Sequence, residues 1–236
     1  MPRPLCSPRT VRGIAAGLLT AAAAAAGAVP VDAVPKPAVP GASSRQAPLD
    51  AARPSAAARE VARWVVESGD HGGRPFIIVD KVHARVLAFD AAGIPVGDSP
   101  ALLGLARGDH SVPGIGERPI AQIRPEERTT PAGRFEAEMG HNANGEDILW
   151  VDYDAAVSMH RVRASNPSEQ RLKRLATATV SDNRISYGCI NLPASFYDRV
   201  VRPLFSPRNG VVYVLPETRS AAAVFGISPQ RRLVRH

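Results

Sequence analysis

Cysteine is scarce in this chain, with two among 236 residues, Cys6 and Cys189. Cys6 precedes an apolar leader, so once that leader is cleaved or left on the cytoplasmic side, Cys189 is a thiol with no intramolecular disulfide partner. Exported proteins seldom keep an unpaired thiol without a use for it, because it invites mispairing and over-oxidation. Aromatic residues make up only 5% of the chain, and the basic residues behind its net charge of +7 are scattered or in short clusters. That pattern, together with an export signal, excludes nucleic acid as an expected partner. No two of the six histidines have the close helical spacing of a zinc motif, so no metal is expected. Internal repeats are also lacking.

The amino terminus is rich where the rest is poor. Arg3, Arg9 and Arg12 precede an unbroken apolar run from Gly13 to Val29, followed by small residues suited to a signal peptidase. This predicts a secretory signal peptide over residues 1–33 and an exported protein of the periplasm or cell envelope, with no stable membrane insertion after cleavage. Residues 34–55, rich in Pro, Ala and Ser, read as a flexible tether, because they offer too little apolar surface to offset the entropy of ordering them. A helix-bearing segment is expected over 56–73, a folded domain over 74–217, and a tail over 218–236.

Within the domain, Ala58, Val61, Ala62, Val65 and Val66 fall on one helical face, with Gly69 as a stop. The apolar runs 75–80 and 85–90 look like paired strands, and 94–105 continues the meander before a Gly-rich loop over 104–116. Further strands are expected at 148–151, 155–160 and 210–215. Asn166-Pro167-Ser168-Glu169 combines an N-cap residue, a first-turn proline and an N3 glutamate, which opens a short helix whose Leu172 and Leu175 face the body. Another helix starts at Pro193. The order is mainly β with short helices.

Chemistry centres on Ile185-Ser186-Tyr187-Gly188-Cys189-Ile190-Asn191-Leu192. A thiol transfers acyl groups only as thiolate, and at a pKa of about 8.5 only a few per cent is ionised at neutral pH. Lowering that value by about two units takes roughly 2.7 kcal/mol of differential stabilisation, within reach of an imidazolium and aligned backbone amides together. Gly188 permits the tight turn that points successive N–H groups inward. His160, at the end of the predicted strand 155–160, is the best candidate base. His71, His83, His110 and His141 lie in loops or turns, with His141 the next candidate, and His236 ends the chain.

These residues resemble the L,D-transpeptidase catalytic domain family (YkuD-like). The family pattern of an upstream His followed by Ser/Thr-His-Gly-Cys, a hydrophobic residue and Asn or Arg reads here as His160 and Ser186-Tyr187-Gly188-Cys189-Ile190-Asn191. Thr130-Pro131-Ala132-Gly133-Arg134-Phe135 is similar to the family's Thr-Pro-x-Gly-x-Phe, and Val79-Asp80-Lys81 to its opening strand. The resemblance covers roughly Arg74 to Glu217 and implies a β-sandwich with short helices, one of them inserted between His160 and Cys189.

The resemblance also implies roles. Cys189 is the nucleophile and His160 its base, oriented by the carbonyl of Arg161. Amides of Tyr187, Gly188 and Cys189 form the oxyanion hole, while Ser186 and Asn191 support the loop. Two departures stand out: Tyr187 replaces the family's second His, and the stretch between His160 and Ser186 is longer than usual. That insert, with Arg163, Arg171, Lys173 and Arg174, is basic, and Arg163, Arg171, Arg174 and His141 are candidates for binding substrate carboxylates. The implied reaction takes peptidoglycan stem peptides, expels a terminal D-Ala through a thioester, and passes the acyl group to an amine. That amine is a second stem, an envelope protein's lysine or a free D-amino acid; with water the outcome is carboxypeptidase action. Acylation by carbapenems, no cofactor and a monomeric state are further expectations. The alternative is a non-catalytic domain that binds peptidoglycan in the same groove.

Overall fold

Strands β1 (Phe76–Asp80) and β10 (Gly210–Val214) are the two most continuously apolar runs of the domain, and the fold explains why. They lie side by side, in parallel, inside an eight-stranded sheet, with Phe76 opposite Val211 and Val79 opposite Val214. Both faces of the pair are buried: Ile77, Val79, Val212 and Val214 enter one core, and Phe76, Ile78, Val211 and Tyr213 enter a second. A strand covered on both sides has no need of polar alternation.

The computed structural model describes residues 54–227, so the expected signal peptide, nearly all of the expected tether and residues 228–236 lie outside the described residues. The remaining strands are β2 (Arg85–Phe89), β3 (Pro95–Pro100), β4 (Leu103–Gly104), β5 (Gly133–His141), β6 (Asp147–Asp152), β7 (Val157–Arg161), β8 (Arg184–Ser186) and β9 (Ile190–Leu192). The large sheet runs β3-β2-β1-β10-β5-β6-β7-β9, and β4 pairs with β8 in a small parallel sheet beside it. The long β5 joins two half-sheets, pairing with β10 through Gly133–Ala137 and with β6 through Glu138–His141. Inward residues of both halves, among them Val86, Val212, Leu149, Met159 and Ile190, meet in the first core, so the sheet folds over onto itself. The architecture is mainly β, a sandwich with few short helices. Residues 194–205, helical with a central π turn at Tyr197–Val201, close this core with Tyr197, Val201 and Phe205.

Helix α1 (Ala56–Ser68) covers the outer face. Ser55 accepts from the Ala58 amide at 3.0 Å, and Ala58, Val61 and Val65 pack on Phe76, Ile78 and Tyr213. Each valine-sized side chain so buried contributes about 1.5–3 kcal/mol. The same core takes in a short helix, Ala221–Phe225, in what reads from the sequence as tail: Phe225 stacks on Trp64 with ring centres 6.2 Å apart. Among the described residues, no helix is long and apolar enough to cross a membrane.

The insert between β7 and β8 departs from the single expected helix. Asn166 caps a 3₁₀ turn, Pro167–Glu169, whose Ser168 amide it accepts at 3.1 Å, but Gln170 takes left-handed angles (φ 47°) and the helix restarts as α2 (Arg171–Ala176). The break changes the helical phase. Leu175 is buried as expected, whereas Leu172 is 60% exposed instead of facing the body.

Candidate active site

The parallel pairing of β7 with β9 sets Met159 opposite Ile190 and His160 opposite Asn191. One step back along the same register, Ser158 falls beside Cys189. Side chains alternate along a strand, so Ser158 and His160 share one face while Met159 turns into the core. Ser158 Oγ lies 3.6 Å from Cys189 Sγ, which also reaches the Ala156 carbonyl at 3.7 Å. His160 donates through Nδ1 to the Arg161 carbonyl at 2.7 Å. A carbonyl can only accept, so Nδ1 carries the proton and Nε2 is left to receive one.

Burial pushes the Cys189 thiol up and the His160 imidazole down, yet the pairing forces together outweigh it. A hydrogen bond and charge interaction with His160, aided by Ser158, hold Cys189 below an ordinary thiol. Cys189 and the Arg161 carbonyl lift His160 above an ordinary imidazole, against an opposing push from the Arg171 guanidinium. Opposite shifts favour thiolate beside imidazolium, titrating as a coupled pair.

The loop carrying Cys189 is clamped from several sides. Ser186 Oγ donates to the Cys189 carbonyl at 2.6 Å, and Asn191 Nδ2 donates to the same oxygen at 3.2 Å. Buried Thr130 donates to the Gly188 carbonyl at 2.7 Å and accepts from the Gly104 amide at 2.9 Å. Leu102 and Asn191 exchange both backbone hydrogen bonds at 2.9 Å, which ties the loop to the start of β4. Gly188 has φ +130°, and a Cβ there would sit 2.9 Å from the Thr129 carbonyl, so conformation and space both require glycine.

Some expected placements need correction. The Gly188 amide, expected to face an oxyanion, donates to Ser186 Oγ at 3.1 Å because the tight turn brings it back onto that hydroxyl. Candidate oxyanion donors are therefore the amides of Tyr187 and Cys189. Arg174 lies outside the cleft that holds Cys189: it folds back onto the Glu169 carbonyl at 2.7 Å and the Asp182 carbonyl at 3.0 Å, capping backbone that the broken helix leaves open. His141 also faces away, into a separate groove with Met139, Asp147 and Arg202, because neighbours on an extended chain point to opposite faces and it is Asn142 that faces the cleft.

The cleft itself encloses about 450 Å³ and is lined by Ser158, His160, Ser186, Tyr187, Cys189 and Asn191, with Arg163 and Arg171 from the insert side. Arg161 contributes its carbonyl only, since its side chain turns to Asp147 and Asp198 and stacks on Tyr197 at 4.5 Å. Tyr187 stands at the mouth, 37% exposed, under the Arg128 guanidinium 3.9 Å from its ring centre. Sequence reading singled out neither Ser158 nor the clamping role of Thr130. Ser158 was within reach of the period-two rule, lying two residues before His160. Among the described residues, no cluster of His, Cys, Asp and Glu is arranged to hold a metal.

No family model and no curated protein matches the chain. Among solved structures it is similar to the helical cell shape determining protein Pgp2 of Campylobacter jejuni, at 13% identity and a TM-score of 0.42, over 67% of this chain and 56% of that one. It is also similar to an L,D-transpeptidase of Xylanimonas cellulosilytica, at 15% identity and a TM-score of 0.37, over 60% of each chain. A third similarity is to an L,D-transpeptidase of Mycobacterium smegmatis, at 17% identity and a TM-score of 0.34, over 60% of this chain and 58% of that one. The chain thus spans less than two thirds of the length of each.

Proposed function

We propose that this protein is an exported cysteine acyltransferase of the cell envelope that acts on peptidoglycan stem peptides in the manner of L,D-transpeptidases. The observation that carries the reading is the placement of Cys189 and His160 in one cleft, with His160 Nδ1 held by the Arg161 carbonyl at 2.7 Å so that Nε2 is left for the thiol proton; the directions of the thiol and imidazole shifts agree with it. The motif residues His160 and Ser186-Tyr187-Gly188-Cys189-Ile190-Asn191 supply the substrate class, and the signal-like amino terminus supplies the compartment.

In this reading His160 Nε2 takes the Cys189 proton and the sulfur attacks the carbonyl carbon of the third stem residue, a diamino acid. The amides of Tyr187 and Cys189 stabilise the oxyanion that forms. As the carbon–nitrogen bond breaks, the imidazolium returns its proton to the departing D-Ala amine, which leaves a thioester on Cys189. An incoming amine gives its proton to His160, attacks the thioester and restores the thiol. The second His of the family pattern is absent, and Tyr187 takes its place through its backbone amide, with its ring braced by Arg128 at the cleft mouth.

Product analysis tests the reading. Incubation of the exported form with a purified stem tetrapeptide is expected to release the terminal D-Ala and give a cross-linked dimer, and Cys189→Ala is expected to give neither. Release without dimer assigns the acceptor to water. A tetrapeptide left intact by the wild-type protein points instead to a non-catalytic, peptide-binding domain.

A further inference from the structure

The insert between β7 and β8 brings Arg163, Glu169 and Arg171 to the Cys189 cleft, and Arg171 is the one tied to the Cys189 loop. Arg171 follows directly on the left-handed break at Gln170, and its side chain is 14% exposed on the cleft wall. Its Nε donates to the Glu169 carboxylate and its Nη1 to Asn191 Oδ1 at 2.7 Å. The other end of that asparagine donates to the Cys189 carbonyl, so two hydrogen bonds separate the guanidinium from the backbone of Cys189. These contacts fix the rotamer but leave one Nη1 hydrogen and both Nη2 hydrogens with no protein acceptor among the described residues, a planar edge suited to a bidentate carboxylate.

The surroundings are polar. Arg163 lines the same cleft but is paired with Glu146 at the rim, and Glu169, the one carboxylate among the lining residues, is held on the Nε side of Arg171, so it is the open guanidinium edge of Arg171 that faces the cleft as a donor for an anionic group. Asn142, Ser165 and Asn166 add neutral polar groups around it. Arg174 and Lys173 turn to a different groove with Gln170 and Asp182 and take no part.

We propose that Arg171 is the specificity-determining residue of this cleft and takes a free carboxylate of the acyl-donor peptide on its unoccupied guanidinium edge. The inference rests on the acyl-transfer reading for the identity of the ligand. Of the free carboxylates of a stem tetrapeptide, two flank the carbonyl that Cys189 attacks: the one on the side chain of the diamino acid, where that residue is a diamino diacid, and the one on the terminal residue. Occupation also bears on chemistry: the Arg171 charge opposes protonation of His160, so a carboxylate that neutralises it strengthens the thiolate–imidazolium pair when donor is bound. Recognition and activation are thereby linked through one side chain.

Calorimetric binding to full-length Cys189→Ala protein separates this from catalysis, because no thioester is needed. Three synthetic tetrapeptides serve as probes: the parent, a version with the diamino-acid carboxylate as carboxamide, and a version with the terminal carboxylate as carboxamide. The parent is expected to bind about tenfold more tightly than one of the two amides, which identifies the carboxylate that is read. Adding Arg171→Gln is expected to weaken the parent to the level of that amide and abolish the discrimination, while Arg171→Lys, which keeps the charge without the fork, retains part of it. Equal binding of all three peptides, discrimination that survives Arg171→Gln, or no binding by the parent overturns the proposal. Failure of the acyl-transfer reading appears elsewhere, as an intact tetrapeptide in the presence of the wild-type protein.

Discussion

Two side chains bear on the charge state of Cys189: His160 through its own charge, and Ser158 through a hydroxyl 3.6 Å from the sulfur. Alkylation by iodoacetamide, followed against pH, reads that state directly. Because the folded thiol lies below its ordinary value, the wild-type rate is expected to rise at a pH below about 8.5. His160→Gln removes the cation and leaves burial acting alone, which moves the rise to about 8.5 or higher. Ser158→Ala is expected to move it the same way by a smaller step. A profile that His160→Gln leaves in place contradicts the pairing. The placement of Cys189 and His160 in one cleft was legible in the sequence because a lone thiol in a chain read as exported needs a reason, and a strand-end histidine is positioned to supply it. Ser158 was not singled out, since a serine in a strand carries no mark of its own. Arg174 and His141 were misread because a charge in a loop or insert says nothing about which side of the backbone it faces.

Elements account for how rigidly the site is held. Thr130 links β4 to the Cys189 loop by accepting from the Gly104 amide and donating to the Gly188 carbonyl. Thr130→Val keeps the shape and leaves both backbone groups buried without this partner, at about 1–3 kcal/mol each. A loss of about 2–6 kcal/mol in denaturant unfolding, with unchanged m, is the expected outcome, and a loss under about 0.5 kcal/mol contradicts the clamp. At this scale the sequence was informative for strands. Runs 75–80 and 85–90 form the expected hairpin, with Phe76 opposite Phe89, and 155–160 and 210–215 fall on β7 and β10. The insert was legible in its cap and not in its phase, because the N-cap signature of Asn166 is local whereas the left-handed turn falls at Gln170, a residue type with no preference for it that would mark the break.

Across the whole molecule, the site depends on a sheet folded over one core and on a buried charge cluster behind the Cys189 loop. Lys81, fully buried, bonds Asp109 at 3.0 Å and the Thr130 carbonyl at 2.9 Å, and Arg184 of β8 pairs with Glu217. Although burial opposes it, bonds from Thr218, the Glu217 amide and Lys81 hold Asp109 well below the usual carboxylate range. The cluster ties the end of β1, the loop at 109, the Thr130 turn and the segment after β10 to the back of the loop. Composition concealed it, because a lysine next to an apolar run reads as a surface residue. The same holds for Ala221–Phe225, whose role depends on Trp64 of a distant helix. All of these parts converge on the Cys189 sulfur. The direct test is the intact mass of the whole protein after incubation with a carbapenem: one adduct on the wild-type chain and none on Cys189→Ala is the expected result, and an unmodified wild-type chain, or an adduct that survives Cys189→Ala, contradicts the account.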